Sequence, residues 1–236
     1  MRIHFILHET FEAPGAYLAW AALRGHDVSM TKVYRYEKLP KDIDDFDMLI
    51  LMGGPQSPSS TKKEFPYYDA QAEVKLIQKA AKAEKIIVGV CLGAQLMGVA
   101  YGADYLHSPK KEIGNYLISL TEAGKMDSYL SDFSDDLLVG HWHGDMSGLP
   151  DKAQVLAISQ GCPRQIIKFG PKQYAFQCHL EFTPELVAAL IAQEDDLDTQ
   201  SQTETYVQTA EEMHTFDYSS MNQALYSFLD RLTERK

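Results

Sequence analysis

Cys91 stands between two glycines in Gly89-Val90-Cys91-Leu92-Gly93, after the apolar run Lys85-Ile86-Ile87-Val88 and before Ala94-Gln95-Leu96-Met97. The pattern predicts a strand that turns sharply into a helix with a thiol at the turn, a nucleophile elbow carrying sulfur. Glycine is needed on both sides because a side chain there would collide with the strand or the helix. A thiol at the start of a helix meets free N–H groups and the positive end of the dipole, which favour thiolate. The chemistry this points to is nucleophilic attack. Further along, Tyr174-Ala175-Phe176-Gln177-Cys178-His179-Leu180-Glu181 reads as a strand ending at a helix start, Thr183-Pro184-Glu185. On a strand, residues two apart share a face, so Glu181 can fix the tautomer of His179 and stabilise its cation while the other ring nitrogen faces a cysteine. Cys91, His179 and Glu181 are therefore the predicted catalytic residues.

Alternating elements must bring these segments together. Arg2 to His8 reads as a strand, Tyr17 to Leu23 as a helix ended near Gly25, and Asp27 to Tyr34 as a second strand. Met48 to Met52 is a buried strand, Tyr67 to Ala83 a helix, and Lys85 to Val90 the strand before the elbow. This alternation predicts an α/β fold with a mostly parallel central sheet and helices on both faces. The second half adds short strands at Glu112 to Leu120, Leu137 to Trp142, Gln154 to Ser159, Gln165 to Phe169 and Tyr174 to Cys178, several expected to be antiparallel. Gln193 to Gln202 reads as a polar surface excursion and Asn222 to Leu232 as a final amphipathic helix. In such sheets ligands collect beyond the carboxyl ends of strands, where Gly53-Gly54, Cys91 and His179 all fall. The glycine pair is expected to supply a backbone N–H that, with the N–H of Leu92, holds the oxyanion formed when Cys91 attacks a carbonyl.

With these residues in place, the chain resembles the class I, triad-type glutamine amidotransferases, and in particular stand-alone relatives of the GMP synthase glutaminase domain. Four segments carry the resemblance: Met52-Gly53-Gly54-Pro55, Gly89 to Gln95, Trp142-His143-Gly144-Asp145, and Gln177 to Glu181. They match in order and spacing over roughly residues 2–191. Cys178 and Leu180 stand where the family usually has an aromatic residue and a proline, and Ala94 where it often has histidine or methionine. The resemblance implies a flavodoxin-like fold, Gln95 hydrogen-bonded to a glutamine substrate, and His143, Gly144 and Asp145 in the wall of its pocket. It also implies glutamine hydrolysis through a γ-glutamyl thioester, with ammonia passed to a separate synthase. The alternatives are hydrolysis of another γ-glutamyl compound, with no ammonia acceptor, and a non-catalytic binding module of the same fold.

Composition narrows the rest. At 236 residues the chain can bury a full core, and one domain over 1–236 is the expectation. Its net charge of -11 argues against a nucleic-acid surface. Met1 to His8 is broken by histidine and followed by Glu9, unlike a signal peptide, and no stretch approaches the ~20 apolar residues of a membrane span. Cys91, Cys162 and Cys178 form no paired framework, which suits a reducing, cytoplasmic compartment, and the last two read as packing thiols. His141 and His143 share a strand face and invite a metal, but the spacing offers no third and fourth ligand, so no metal or organic cofactor is expected. His4 and His8 read as satisfied histidines.

Overall fold

The computed structural model describes residues 1–234. The first half runs β1 (Arg2–Leu7), α1 (Ala16–Leu23), β2 (Asp27–Lys32), β3 (Met48–Leu51), α2 (Ala70–Lys82), β4 (Ile86–Val90), α3 (Leu92–Ala100). The second runs β5 (Leu106–Leu120), α4 (Glu122–Met126), β6 (Asp136–Met146), β7 (Gln154–Ile158), β8 (Ile166–Gly170) and β9 (Gln173–Phe176). It closes with α5 (Pro184–Ile191), α6 (Leu197–Thr203), β10 (Tyr206–Val207), α7 (Ala210–His214) and α8 (Ser219–Thr233).

One sheet takes the order β10-β5-β7-β8-β9-β4-β3-β1-β2, with β6 also paired to β5. From β9 to β2 every neighbour is parallel, whereas β5–β6, β5–β7, β7–β8 and β8–β9 are antiparallel. The side-chain period of two divides the core between the faces. Met48 and Ile50 of β3 point to the side covered by Trp20 of α1 and Phe228 of α8, while Leu49 and Leu51 point to the side covered by Ile77 of α2 and Leu96 of α3. Strand β4 repeats this, with Ile86, Val88 and Val90 on the first side and Ile87 on the second. A strand buried on both faces has no polar alternation, which is why β3 and β4 read as continuous apolar runs.

Local signals set the helices. Asp69 caps α2 by accepting from the Ala72 N–H, and Glu73, Leu76, Ile77 and Ala80 form its buried stripe. Thr183 caps α5, with Pro184 in its first turn, where a missing N–H costs nothing. On α8, Met221, Ala224, Leu225, Phe228, Leu229 and Leu232 are buried at helical spacing, and Phe228 sets its edge against Tyr174 and Phe176 of β9. Trp20 Nε1 donates to Asp230 at 2.8 Å and ties α1 to α8.

The structure departs from the sequence expectations mainly in the second half. Strand β2 stops at Lys32 and gives way to a 3-10 turn at Val33–Arg35. Strand β5 starts at Leu106, six residues early, because an irregularity between His107 and Glu112 absorbs Pro109 and two lysines that read as loop. Strand β6 continues past Trp142 to Met146, so His141 and His143 both lie within it. Strand β9 ends at Phe176, and the polar stretch 193–202 contains most of α6.

Candidate active site

The turn at the end of β4 has the elbow conformation: Cys91 adopts φ 50°, ψ -105°, a left-handed value rare for a residue with a Cβ. Its N–H donates to Phe176 O at 2.8 Å and its carbonyl accepts from Gln95 N at 3.1 Å, so strand and helix both hold it. Gly93 allows the close approach, because a Cβ there would collide with the Leu51 carbonyl oxygen of β3. That neighbour is backbone in a fully buried strand, so Gly93→Ala is expected to lower stability by about 2–4 kcal/mol. Chemical denaturation measures this, and a loss below about 0.5 kcal/mol would show that β3 and α3 can part at little cost.

His179 reaches Cys91 by a route other than the predicted strand. Beyond Phe176 the chain leaves β4 and bridges to β6 through two bonds, His179 N to Gly140 O at 2.8 Å and Gly140 N to His179 O at 3.0 Å. Gly140 leaves room for Phe182, which stacks on the His179 ring at 4.4 Å between centroids and 17° between planes. Glu181 Oε1 accepts from His179 Nδ1 at 2.7 Å, and all of this is buried. His179 Nε2 and Glu181 Oε2 are buried without a hydrogen-bond partner.

Electrostatics couples the histidine to the thiol. Burial opposes the His179 cation, but the Glu181 carboxylate and the Cys91 sulfur override it and hold the His179 pKa well above its ordinary value. At Cys91 burial raises the pKa, and contact with His179 and the Leu92 N–H offset only part of that. This corrects the expectation from the helix dipole alone: at Cys91 desolvation outweighs the helix terminus, and His179 makes ionisation attainable. Although Cys91 and His179 lower the cost of each other's charge, Nε2 makes no bond of ordinary geometry, and Sγ lies 3.8 Å from Trp142 O.

Gly53 lies against the elbow, where a Cβ would stand 3.4 Å from Cys91 Cβ. Its carbonyl is held by His8 Nδ1 at 3.0 Å, and His8 Nε2 is paired to Glu73 at 2.9 Å in a fully buried contact. Burial opposes the His8 cation, yet Glu73 and the Gly53 carbonyl raise its pKa overall. Because a trans peptide sets N–H opposite C=O, His8 turns the Gly54 N–H away from itself and fixes that peptide plane. His8 and Glu73 thus join the site, although the sequence offered only a satisfied histidine and gave no sign of Glu73.

A cleft of about 330 Å³ opens between these groups and β6, lined by Glu12, Gly54, Lys111, Trp142, His143 and Gly144 among others. A larger hollow of about 600 Å³ sits at the opposite strand ends, beside Met1 and Lys172; Cys91, His179 and Glu181 line neither space, and the smaller cleft adjoins the elbow through Trp142, whose carbonyl lies 3.8 Å from Cys91 Sγ. Glu12 was not visible in sequence. Its carboxylate lies against Gly53 and is largely buried. Burial is the main cause that raises its pKa from 4.5 to about 7, with His179 opposing and Glu181 adding to the shift. Between those values the folded chain keeps a proton that the unfolded chain has lost. This stability is complete below pH 4.5, falls as pH rises, and is gone above about 7. Glu12→Gln is therefore expected to be more stable than the parent at pH 8 by about 1–3 kcal/mol and nearly equal to it at pH 4.5. Thermal melts at the two pH values check this, and the same difference at both would contradict it.

Gln95 is buried on the first turn of α3 with Oε1 unpartnered. His143 and Gly144 line the cleft through β6, but the His143 ring turns inward to Glu112, 3.2 Å away, and Asp145 turns outward to the exposed His107 at 2.6 Å. Cys162 and Cys178 are buried away from the cleft, the first with its pKa pushed up to about 11 and the second well above its ordinary value by burial.

Comparisons with known proteins agree with this architecture. Residues 19–194 match the family model of glutamine amidotransferase class-I. A glutamine amidotransferase-like protein of Salmonella typhimurium, YfeJ, is 49% identical over 233 residues, 99% of this chain and 98% of its own. The crystal structure of SMU.1228c is 99% identical with a TM-score of 0.99, covering 99% of this chain and 100% of that one. A glutamine amidotransferase of Thermotoga maritima shares the fold at a TM-score of 0.85 and 23% identity, over 100% of this chain and 99% of that one. The chain belongs to the class I glutamine amidotransferase family.

Proposed function

We propose that the chain hydrolyses the side-chain amide of glutamine, with Cys91 as nucleophile, His179 as proton carrier and Glu181 as the group that orients and charges the histidine. The observation that carries this reading is His179, fixed by Glu181 on one nitrogen and buried without a partner on the other, coupled to a thiol on a left-handed elbow. The Cys91 sulfur bonds to the amide carbon, and the carbonyl electron pair moves onto oxygen, which the Gly54 and Leu92 N–H groups receive. Collapse breaks the C–N bond as His179 protonates the departing ammonia. Water, deprotonated by His179, then cleaves the γ-glutamyl thioester to give glutamate and the thiol. These steps call on no cofactor. Gln95 and the wall at His143 and Gly144 are assigned to holding the glutamyl part, with Asp145 behind the wall. The packing of α8 on the strands that carry the site supports one domain over the described residues; Arg235 and Lys236 lie outside them.

A γ-glutamyl hydrolase is the second reading, favoured by Glu12. A carboxylate beside the triad and facing the cleft complements a substituted, cationic leaving amine. Glutamate release from glutamine and from a panel of γ-glutamyl amines and peptides, measured on the isolated chain, separates the two. Turnover of free glutamine alone supports the first reading. A kcat of about 1–1,000 per second on another γ-glutamyl compound, with no other protein present, supports the second and leaves no need for a synthase partner. No turnover with any of them, with or without a synthase, would leave only a binding module. The acidic surface and the absence, among the described residues, of a helix long and apolar enough to cross a membrane fit a cytoplasmic enzyme acting on small molecules.

A further inference from the structure

Strand β6 carries His141 and His143, and the antiparallel register sets Glu112 of β5 opposite His143. All three side chains are buried. Each histidine is fixed from behind by a backbone carbonyl, His141 Nε2 lying 3.3 Å from Tyr116 O and His143 Nδ1 3.1 Å from Asp145 O. Carbonyls only accept, so those nitrogens carry the protons, and His141 Nδ1 and His143 Nε2 present lone pairs. The two lone pairs are 3.5 Å apart and lie 3.5 and 3.2 Å from Glu112 Oε2. Three electron-pair donors thus lie close together, and the Gln165 amide, which faces Glu112 and His143, leaves the His141 lone pair without a donor.

Their spacing matches a known shape. Ligands at 2.0–2.1 Å from a tetrahedral ion are separated by ~3.3–3.4 Å, so the three atoms form one face of such a site. The surrounding bonds are those that metal ligands need: a carbonyl behind each imidazole, and Ser159 Oγ and Gly161 N donating to the second oxygen of Glu112 at 2.7 and 3.2 Å. Gln165 borders the cluster as a donor. Its Nε2 lies 2.7 Å from Glu112 Oε2, 2.9 Å from Ser159 Oγ and 3.3 Å from His143 Nε2, three contacts for two hydrogens, while its Oε1 is buried without a partner. Turned over, its oxygen would stand 2.7 Å from Glu112 Oε2, too close for two ligands of one tetrahedral ion, so Gln165 is a hydrogen-bond donor to the carboxylate and not a ligand.

We propose that Glu112, His141 and His143 bind one zinc-type divalent ion, with a solvent ligand at the fourth position. Two imidazoles and a carboxylate select zinc or its first-row neighbours over magnesium and calcium. A hollow beside Tyr116 and Tyr206 reaches as far as Glu112. The site is structural: it braces β5, β6 and the loop 159–165 behind the cleft wall and takes no part in bond making. Sequence spacing singled out the two histidines but led to no metal being expected, because the third residue comes from a strand 29 positions before the first histidine, which no local motif encodes.

The test uses the full chain in a Cys91→Ala background, so that the active-site thiol contributes no ligand. After stripping with a strong chelator, the protein is expected to bind one zinc per chain in competition with a chromophoric indicator. Cobalt is expected to give the intense visible bands of four-coordinate geometry. Glu112→Gln and His141→Gln should each weaken zinc binding beyond the ~10–100-fold that loss of a supporting partner costs. His107→Ala, which removes the exposed pair with Asp145, should leave it unchanged. Because a ligand variant can misfold, X-ray absorption at the zinc edge of the Cys91→Ala chain gives an independent readout, expected to show two imidazoles, oxygen and no sulfur. No zinc or cobalt uptake by the stripped chain, equal affinity in Glu112→Gln, loss of binding in His107→Ala, or a sulfur ligand would each overturn the proposal.

Discussion

Cys91→Ser is expected to lose turnover of every γ-glutamyl substrate by on the order of 10⁴-fold or more, the scale on which removing a triad nucleophile acts, while the fold is kept. Serine matches the thiol in shape, so the elbow and its backbone bonds to Phe176 and Gln95 persist. The hydrogen bond from Sγ to Trp142 O is long, at 3.8 Å, so little stability is at stake. The chemistry is lost because a hydroxyl is far harder to ionise than a thiol, and burial already raises the pKa at this position. Glutamate release measured by mass, beside a thermal melt within a few degrees of the parent, checks both halves. Retained turnover, or labelling of Cys162 in place of Cys91 by a glutamine-like chloroketone, would remove Cys91 from the mechanism.

His179→Ala is the second large effect. It takes away the proton carrier, a loss of roughly 10²–10⁴-fold for a general acid–base group, and it also takes away the charge that offsets burial of the thiol. Alkylation of Cys91 by iodoacetamide near pH 7 should therefore slow along with turnover, a coupling that a residue supporting only the fold would not show. Glu181→Gln keeps a group able to accept from Nδ1 but removes the charge that raises His179, so its loss should be the smaller one. Equal and minor effects of both substitutions would contradict the assignment, as would an unchanged alkylation rate in His179→Ala.

Much of this architecture could be read from the sequence because it rests on local rules. The apolar runs of β3 and β4, the glycines around Cys91 and the Thr183-Pro184 helix start each encode their geometry within a few residues. The H-x-E spacing was read correctly as a contacting pair, yet for a partly different reason. His179 and Glu181 lie beyond β9, and a bridge to Gly140 with stacking on Phe182 orients the histidine where a regular strand was expected. That contact spans 39 positions and leaves no periodic signature. Glu12, His8 and Glu73 escaped for a similar reason: each joins the site through a partner distant in sequence, and an isolated acid or histidine looks the same on a solvated face as in a buried pair. Strands β5 and β6 were shortened because charged residues and a proline interrupt their pattern, while pairing between the two strands overrides it.

The most direct measurement is rapid-quench mass spectrometry of the chain mixed with the γ-glutamyl substrate it turns over best, or with glutamine. The expected result is a γ-glutamyl adduct on the peptide that contains Cys91, formed and lost at rates compatible with turnover, absent from Cys91→Ser, and accumulating in a variant slowed in water activation. Turnover that proceeds with no adduct on Cys91, or with the adduct on another residue, would contradict the mechanism.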